Sequence, residues 1–175
     1  MDAAEVLSFW FGQDRKKWFV KDPAFDEDIR RRFLDLYTLG VNRKLEDWKT
    51  RPKDCLALVI LLDQFPRNMF RNTARAFEGD PCALEAARVI VAQGWDKGYT
   101  EDERTFAYLP FEHSEALADQ EASMRLFQGN PNLEWARKHW EIIRRFGRFP
   151  HRNAALGRES TPEEIEFLKQ PGSGF

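Results

Sequence analysis

Three phrases of this 175-residue chain hold the side chains that chemistry uses. The first is LALVILLDQFPRNMFR, Leu56 to Arg71, where an unbroken apolar run turns polar at Asp63 and Gln64, is broken at Pro66 and ends in Arg67, Asn68 and Arg71. The second is FAYLPFEHSEALADQ, with Glu112, His113 and Gln120. The third runs from Ile142 to Arg158 and contains Arg144, Arg145, Arg148, Arg152 and Arg158 with His151 and Asn153; it has acidic residues nowhere inside it. A carboxylate, an imidazole and several guanidiniums are the parts of a site that binds an anion and moves a proton. His113 and His151 are the candidate proton-transfer groups, with Asp63 and Glu112 to orient them. Gln64, Arg67, Asn68, Gln120, Arg148, Arg152 and Asn153 are the candidate ligand contacts. Guanidinium groups beside aromatic rings suit phosphate or carboxylate.

Positioning these groups falls to helices. A helix apolar on every side belongs in the middle of a domain, so the run from Leu56 to Leu62 is expected to be the central helix, starting at Pro52. Asp63 and Gln64 then lie at its buried end, where an unpaired polar group is costly. In the second phrase, projection at about 100° per residue brings Phe106, His113, Leu117, Gln120 and Met124 onto one apolar face. The same projection turns Glu112, Glu115 and Asp119 toward water. Arg67, Arg71 and Arg75 recur every four residues and would form one basic face if that segment is helical.

The punctuation elsewhere is helical too. AEVLSFWFG is closed by Gly12, and Asp22-Pro23 opens a helix whose stripe is Phe25, Ile29, Phe33 and Leu36. Asp80-Pro81 is a second cap-plus-proline start, with Leu84, Ala87, Val91 and Trp95 as its stripe. Thr100 with Glu103, and Thr161 with Glu164, are capping boxes. Asn130-Pro131 opens a helix with Trp135, His139, Ile142 and Phe146 on one face, which makes His139 a core residue. No strand-like alternation and no hairpin turn is present. The expected fold is all-α, an irregular stack of about seven or eight helices paired as hairpins in one domain over residues 1–175.

Composition excludes several classes. A net charge of −2 argues against a nucleic-acid or membrane-surface partner. No apolar stretch approaches the roughly 18 residues of a membrane span. MDAAEVLSFWFG lacks a basic start and a cleavage site, so a cytoplasmic protein is expected. Cys55 and Cys82 form no CxxC pair and are expected to be reduced, buried thiols. There is no P-loop, GxGxxG, HExxH or GxSxG motif. A metal could draw on His113, His151, Glu112 and Asp63, but no pair of them has a strong ligand spacing, so no metal site is expected, and the sequence leaves the cofactor open. Fifteen Phe and six Trp leave room for an aromatic-lined groove that takes a peptide or protein partner instead of a small anion. A third possibility is that the FPRN and FPHRN phrases are structural locks at helix ends.

The phrases together resemble one family. FWFG (Phe9 to Gly12), LLDQFPRNMFR (Leu61 to Arg71), Ala76 to Asp80, YLPFEHSE (Tyr108 to Glu115) with Gln120, and RFGRFPHRNAALGRESTPEE (Arg145 to Glu164) are similar to the bacterial family called domain of unknown function 924. The likeness extends over nearly the whole chain, to the tail LKQPGSGF. It implies an all-α fold of the tetratricopeptide-repeat-like superfamily. It implies no activity and no catalytic residue.

Overall fold

The computed structural model describes residues 2–174; the last residue of the tail phrase, and Met1, fall outside them. The chain is an all-α stack, with no strand among the described residues. The helices are α1 (Ala3–Phe11), α2 (Pro23–Val41), α3 (Pro52–Val59), α4 (Phe65–Met69), α5 (Asp80–Ala92), α6 (Glu101–Glu112), α7 (Leu117–Leu126), α8 (Leu133–Phe146), α9 (Asn153–Leu156) and α10 (Pro162–Leu168). Short 3-10 turns join several of them. More helices are present than hydrophobic periodicity predicts, because pieces such as α9 are too short to show a period.

Their ends follow from local chemistry. Asp22 caps α2 by accepting from the backbone N–H groups of Ala24 and Phe25. Both capping boxes form, Thr100 with Glu103 and Thr161 with Glu164. Asp80 is different. Gly79 is the residue that caps α5, and Asp80 is its first helical residue, so its carboxylate is free to pair elsewhere.

The central helix is made of α3 and α4 joined without a break by a π-helical turn, Ile60–Gln64. The Phe65 N–H reaches back five residues to the Ile60 carbonyl. Pro66 supplies the reason. Proline has no N–H to give the Leu62 carbonyl, and its ring would crowd that oxygen in a regular α-helix. One widened turn relieves the crowding, and the helix continues instead of breaking at Pro66.

The turn is anchored on the far side by Phe65, whose ring packs against Phe33, Phe9 and Trp10 at centroid separations of 4.8, 6.0 and 5.7 Å. Trp10, Trp18, Phe25 and Phe106 complete this aromatic layer. Around it α3 packs on α1 and α5, α2 on α4, and α6 on α5 and α7. A smaller apolar cluster of Ile142, Ile143 and Phe149, with Phe146 and Phe167 against it, lies under the last third of the chain.

Three sequence expectations fail, each for its own local reason. The projection from Phe106 to Met124 assumes a single helix, whereas α6 stops at Glu112 and α7 starts afresh at Leu117. The phase resets between them, so Asp119 is buried at 8% exposure; Glu112, 2% exposed, is enclosed because α6 is covered on every side from Phe106 onward. The basic face of Arg67, Arg71 and Arg75 is also absent, because α4 ends at Met69. Trp135, expected on the buried stripe of α8, is half exposed, while His139 on that helix is buried.

Candidate functional site

The π turn decides what the end of the central helix presents. Residues 60–66 are all buried, and Asp63 is fully enclosed. A carboxylate there must be matched. Asp63 Oδ1 lies 2.7 Å from His113 Nδ1, at the end of α6. Gln64 Nε2 donates to Asp63 Oδ2 at 2.5 Å. Arg67 Nη1, one turn along, donates to the Asp63 carbonyl at 2.6 Å and stands 3.3 Å from Oδ1.

Arg67 also reaches outward. Its two terminal nitrogens grip the Asp80 carboxylate at 2.7 and 3.1 Å. Arg152 Nη1 approaches the same carboxylate at 3.4 Å, and Arg152 Nη2 donates to the His113 carbonyl at 3.0 Å. The Arg152 guanidinium is sandwiched near Phe77 and Phe149, 4.6 Å from each centroid. Two guanidiniums thus converge on one carboxylate beside a buried Asp–His pair.

Behind His113 lies a second layer. The rings of His113 and His139 are 6.1 Å apart. His139 Nδ1 is 2.8 Å from the Trp135 carbonyl and 3.1 Å from Glu112 Oε1. Asn132 Nδ2 donates to Glu112 Oε2 at 2.7 Å. His151 packs its ring 5.7 Å from that of Phe149.

Protonation follows from these surroundings. Burial raises the Asp63 carboxyl, but the Arg67 cation and the hydrogen bonds from His113 and Gln64 outweigh it and hold Asp63 well below the usual range. His113 is lowered by burial and then by Arg67, against the opposing pull of Asp63. The pair is therefore a carboxylate accepting from a neutral imidazole. Burial pushes His139 down to about 3 and His151 down to about 4, each with help from neighbouring cations or imidazoles. Burial lifts Glu112 to about 8 and lowers Arg152 to about 10.

Of the residues singled out in the sequence, Asp63, Gln64, Arg67, His113 and Arg152 come together here, with Glu112 joined through His139. The others go elsewhere. Asn68 donates to Asp26, which also holds Arg71 at 2.5 and 2.8 Å, on the α2 side of the central helix. Arg148 makes a two-point pair with Glu164 and donates to the Glu159 carbonyl. Asn153 bonds Ser160, Glu164 and Arg158. Gln120 donates to the carbonyls of Glu112 and Ser114, tying down the C-terminal end of α6 from α7. These four are positioning contacts, and their pattern is that of locks between segments.

Sequence reasoning missed Asp80, hidden behind its resemblance to a helix cap, and His139, which looked like a core residue. Glu115, which the projection turns toward water, is an acid partner of the arginine-rich phrase. It pairs with Arg158 at 2.7 and 2.9 Å and accepts from the Phe149 N–H, fixing the FPHRN loop against the end of α6. Only the excess of arginine over acid in the third phrase hinted that its partners lie on other segments.

An all-helical stack with a buried carboxylate–imidazole centre at the π turn of its middle helix defines the class of this molecule. The chain belongs to the bacterial protein family of unknown function DUF924, which matches residues 6–172. It is similar to a solved structure of a protein of unknown function from Agrobacterium tumefaciens, with 44% identity, a TM-score of 0.92, and coverage of 95% of this chain and 96% of that one. No curated protein matches. Among the described residues no helix is long and apolar enough to cross a membrane.

Proposed function

We propose that the end of the central helix is a small-molecule site for a ligand bearing a phosphate or carboxylate group, and that its chemistry is hydrolysis or group transfer. The observation that carries this reading is the convergence of Arg67 and Arg152 on Asp80. Two guanidiniums held against one carboxylate mark a place where an anion is accommodated, and Asp80 lies at the less buried edge of the cluster, 17% exposed. The Asp63–His113 pair beside it supplies an oriented neutral imidazole, the usual form of a general base. Clamping by paired guanidiniums gives orientation as well as affinity.

The test uses Asp80 as the competitor. Inorganic phosphate is titrated into the purified protein and followed by thermal shift at constant ionic strength. Asp80→Asn removes the resident carboxylate and is expected to tighten phosphate binding about tenfold. Arg152→Ala, with its fold confirmed by circular dichroism, is expected to abolish the shift. Equal phosphate binding in all three proteins would rule the reading out.

One observation favours a second reading, a helical-repeat-like scaffold that binds a peptide or protein. An open groove of about 680 Å³ lies on the α2 side of the central helix, lined by Arg30, Phe70, Arg71 and Arg75 among others. The guanidiniums of Arg75 and Arg30 stack over Phe70 at 4.0 and 5.2 Å. An aromatic floor under basic side chains suits an acidic extended peptide laid on a tetratricopeptide-like stack. Fluorescence anisotropy with a labelled acidic peptide, repeated with Arg75→Glu, checks it; unchanged affinity in the variant would exclude the groove.

A further inference from the structure

The layer behind His113 has the composition of a metal centre. Glu112, His113 and His139 each offer a ligand atom, and the three atoms lie within 4.8 Å of one another. We infer that these residues bind a divalent first-row transition metal of the zinc type. The inference rests on reading this end of the central helix as a ligand site, and it reassigns His113 from free general base to metal ligand.

The argument stands on how each donor is held. Metal-bound histidine almost always gives its other ring N–H to a carboxylate or a backbone carbonyl, which fixes the tautomer and the ring. Both histidines do this. His113 Nδ1 is bonded to the Asp63 carboxylate at 2.7 Å, which assigns ligation to Nε2. His139 Nδ1 is bonded to the Trp135 carbonyl at 2.8 Å; a carbonyl oxygen can only accept, so Nδ1 carries the proton and Nε2 is the ligating atom. Glu112 is held through Oε2 by the amide of Asn132 at 2.7 Å, and its Oε1 lies 3.1 Å from His139 Nδ1, so ligation through Oε1 takes a turn of the carboxylate away from that N–H toward the two Nε2 atoms. The two imidazoles are therefore pre-aimed, one from the π turn and one from within α8, and Glu112 is tethered from the turn before α8.

Charge supports the same assignment. Glu112 is 2% exposed, and its partners among the described residues are the Asn132 amide and the His139 imidazole, with no guanidinium or ammonium beside it. A buried carboxylate is otherwise paired or bound to a metal. Two imidazoles and one carboxylate suit zinc or iron in preference to calcium or magnesium, which take oxygen donors. Three protein ligands leave coordination positions open, the arrangement of catalytic rather than structural zinc. The ligand spacing also explains why sequence motifs miss the site. Glu112 and His113 are adjacent at the end of α6, where the helix stops and lets both turn inward, and His139 comes from α8, which packs alongside.

The experiment is Zn²⁺ titration of chelator-stripped protein against a chromophoric chelator, with Co²⁺ as a spectroscopic substitute. Wild type is expected to take up one equivalent, with the visible absorption of Co²⁺ bound to nitrogen and oxygen. Glu112→Gln and His139→Gln are expected to weaken binding at least ~100-fold, and Asp63→Asn by roughly 10- to 100-fold. Because these side chains are buried, a readout without variants runs in parallel: long-range ¹H–¹⁵N spectra of the wild-type imidazoles. Zn²⁺ should shift Nε2 of His113 and His139 and leave both nitrogens of His151 in place. No uptake by wild type, or uptake unchanged in folded Glu112→Gln and His139→Gln, would overturn the metal site. The anion reading is judged separately: Arg152→Ala should lose phosphate and keep Zn²⁺, whereas loss of Zn²⁺ alone would leave the phosphate result standing.

Discussion

Gly79 lies against the carbonyl of Leu62: a Cβ built on Gly79 would come within 2.3 Å of that oxygen. Leu62 is the residue whose carbonyl Pro66 cannot satisfy, so the glycine, the proline and the π turn are parts of one device. Its backbone angles are ordinary (φ −80°), and only the close approach demands glycine. Gly79→Ala is therefore expected to destabilise the protein by about 1–3 kcal/mol, the usual cost of overpacking. Chemical denaturation measures it. A neutral result would show that the turn does not need this contact.

Gln120 makes the corresponding prediction on the other side of His113. Its amide satisfies two carbonyls at the end of α6, each at 2.6 Å. Gln120→Leu keeps the volume and strands both acceptors, at about 1–3 kcal/mol for the lost partners. The His113 ring signals should also broaden or move in NMR spectra, since its backbone neighbours lose their tether. Stability equal to wild type would count against this role.

Arg148 holds Glu164, and the pair has a pH signature. The Arg148 hydrogen bonds pull Glu164 down to about 2, against burial and with help from the Thr161 N–H. A carboxyl depressed in the folded state binds fewer protons there than in the unfolded chain. Its stabilisation is complete above the ordinary value of 4.5 and is lost as pH falls toward 2. Arg148→Ala should lower Tm by several degrees at pH 7 and flatten the fall in stability between these limits. Phosphate binding should be unaffected, since Arg148 is not at the Arg67–Asp80–Arg152 convergence. An acid limb identical in the variant would refute the assignment.

Cys55 is fully buried, and burial pushes its thiol up to about 12. Thiolate is the reactive form. A thiol reagent at pH 8 should therefore modify Cys82, which is partly exposed, and spare Cys55 until denaturant is added. Mass spectrometry of the labelled chain distinguishes the two. Rapid native labelling of Cys55 would mean that α3 opens far more readily than its packing implies.

What was legible in the sequence was what is encoded locally. The Asp22-Pro23 start, the Thr100–Glu103 and Thr161–Glu164 boxes and the apolar run from Leu56 announce helices because neighbouring side chains decide them. The family likeness was legible for the same reason, through long contiguous phrases. Asp63 also stood out, since an acid closing an apolar run needs a partner. The partners did not. Asp80 looked like a cap because Asp-Pro usually is one, and only the fold shows that Gly79 has taken that place. Asp119 was turned outward by a projection that ran through the α6–α7 break, a break that no glycine or proline marks, and Glu112 was turned outward although the end of α6 has no solvent face. The continuation of the central helix through Pro66 required a widened turn, and its counterpart, Gly79, is thirteen residues downstream of that proline.

The two apolar clusters have a consequence for how the molecule opens. Asp63, Arg67 and His113 are set on helices rooted in the large aromatic core, whereas Arg152 and His151 ride on a loop over the small cluster of Ile142, Ile143 and Phe149. A patch of three buried side chains protects far less than a layer of stacked rings, so amide hydrogens from Phe149 to Leu168 should exchange as an early-opening unit ahead of α3 and α6. Each such excursion withdraws one guanidinium from the Asp80 carboxylate and leaves the other in place. The seam between a durable and a labile half of the molecule therefore runs through the site itself.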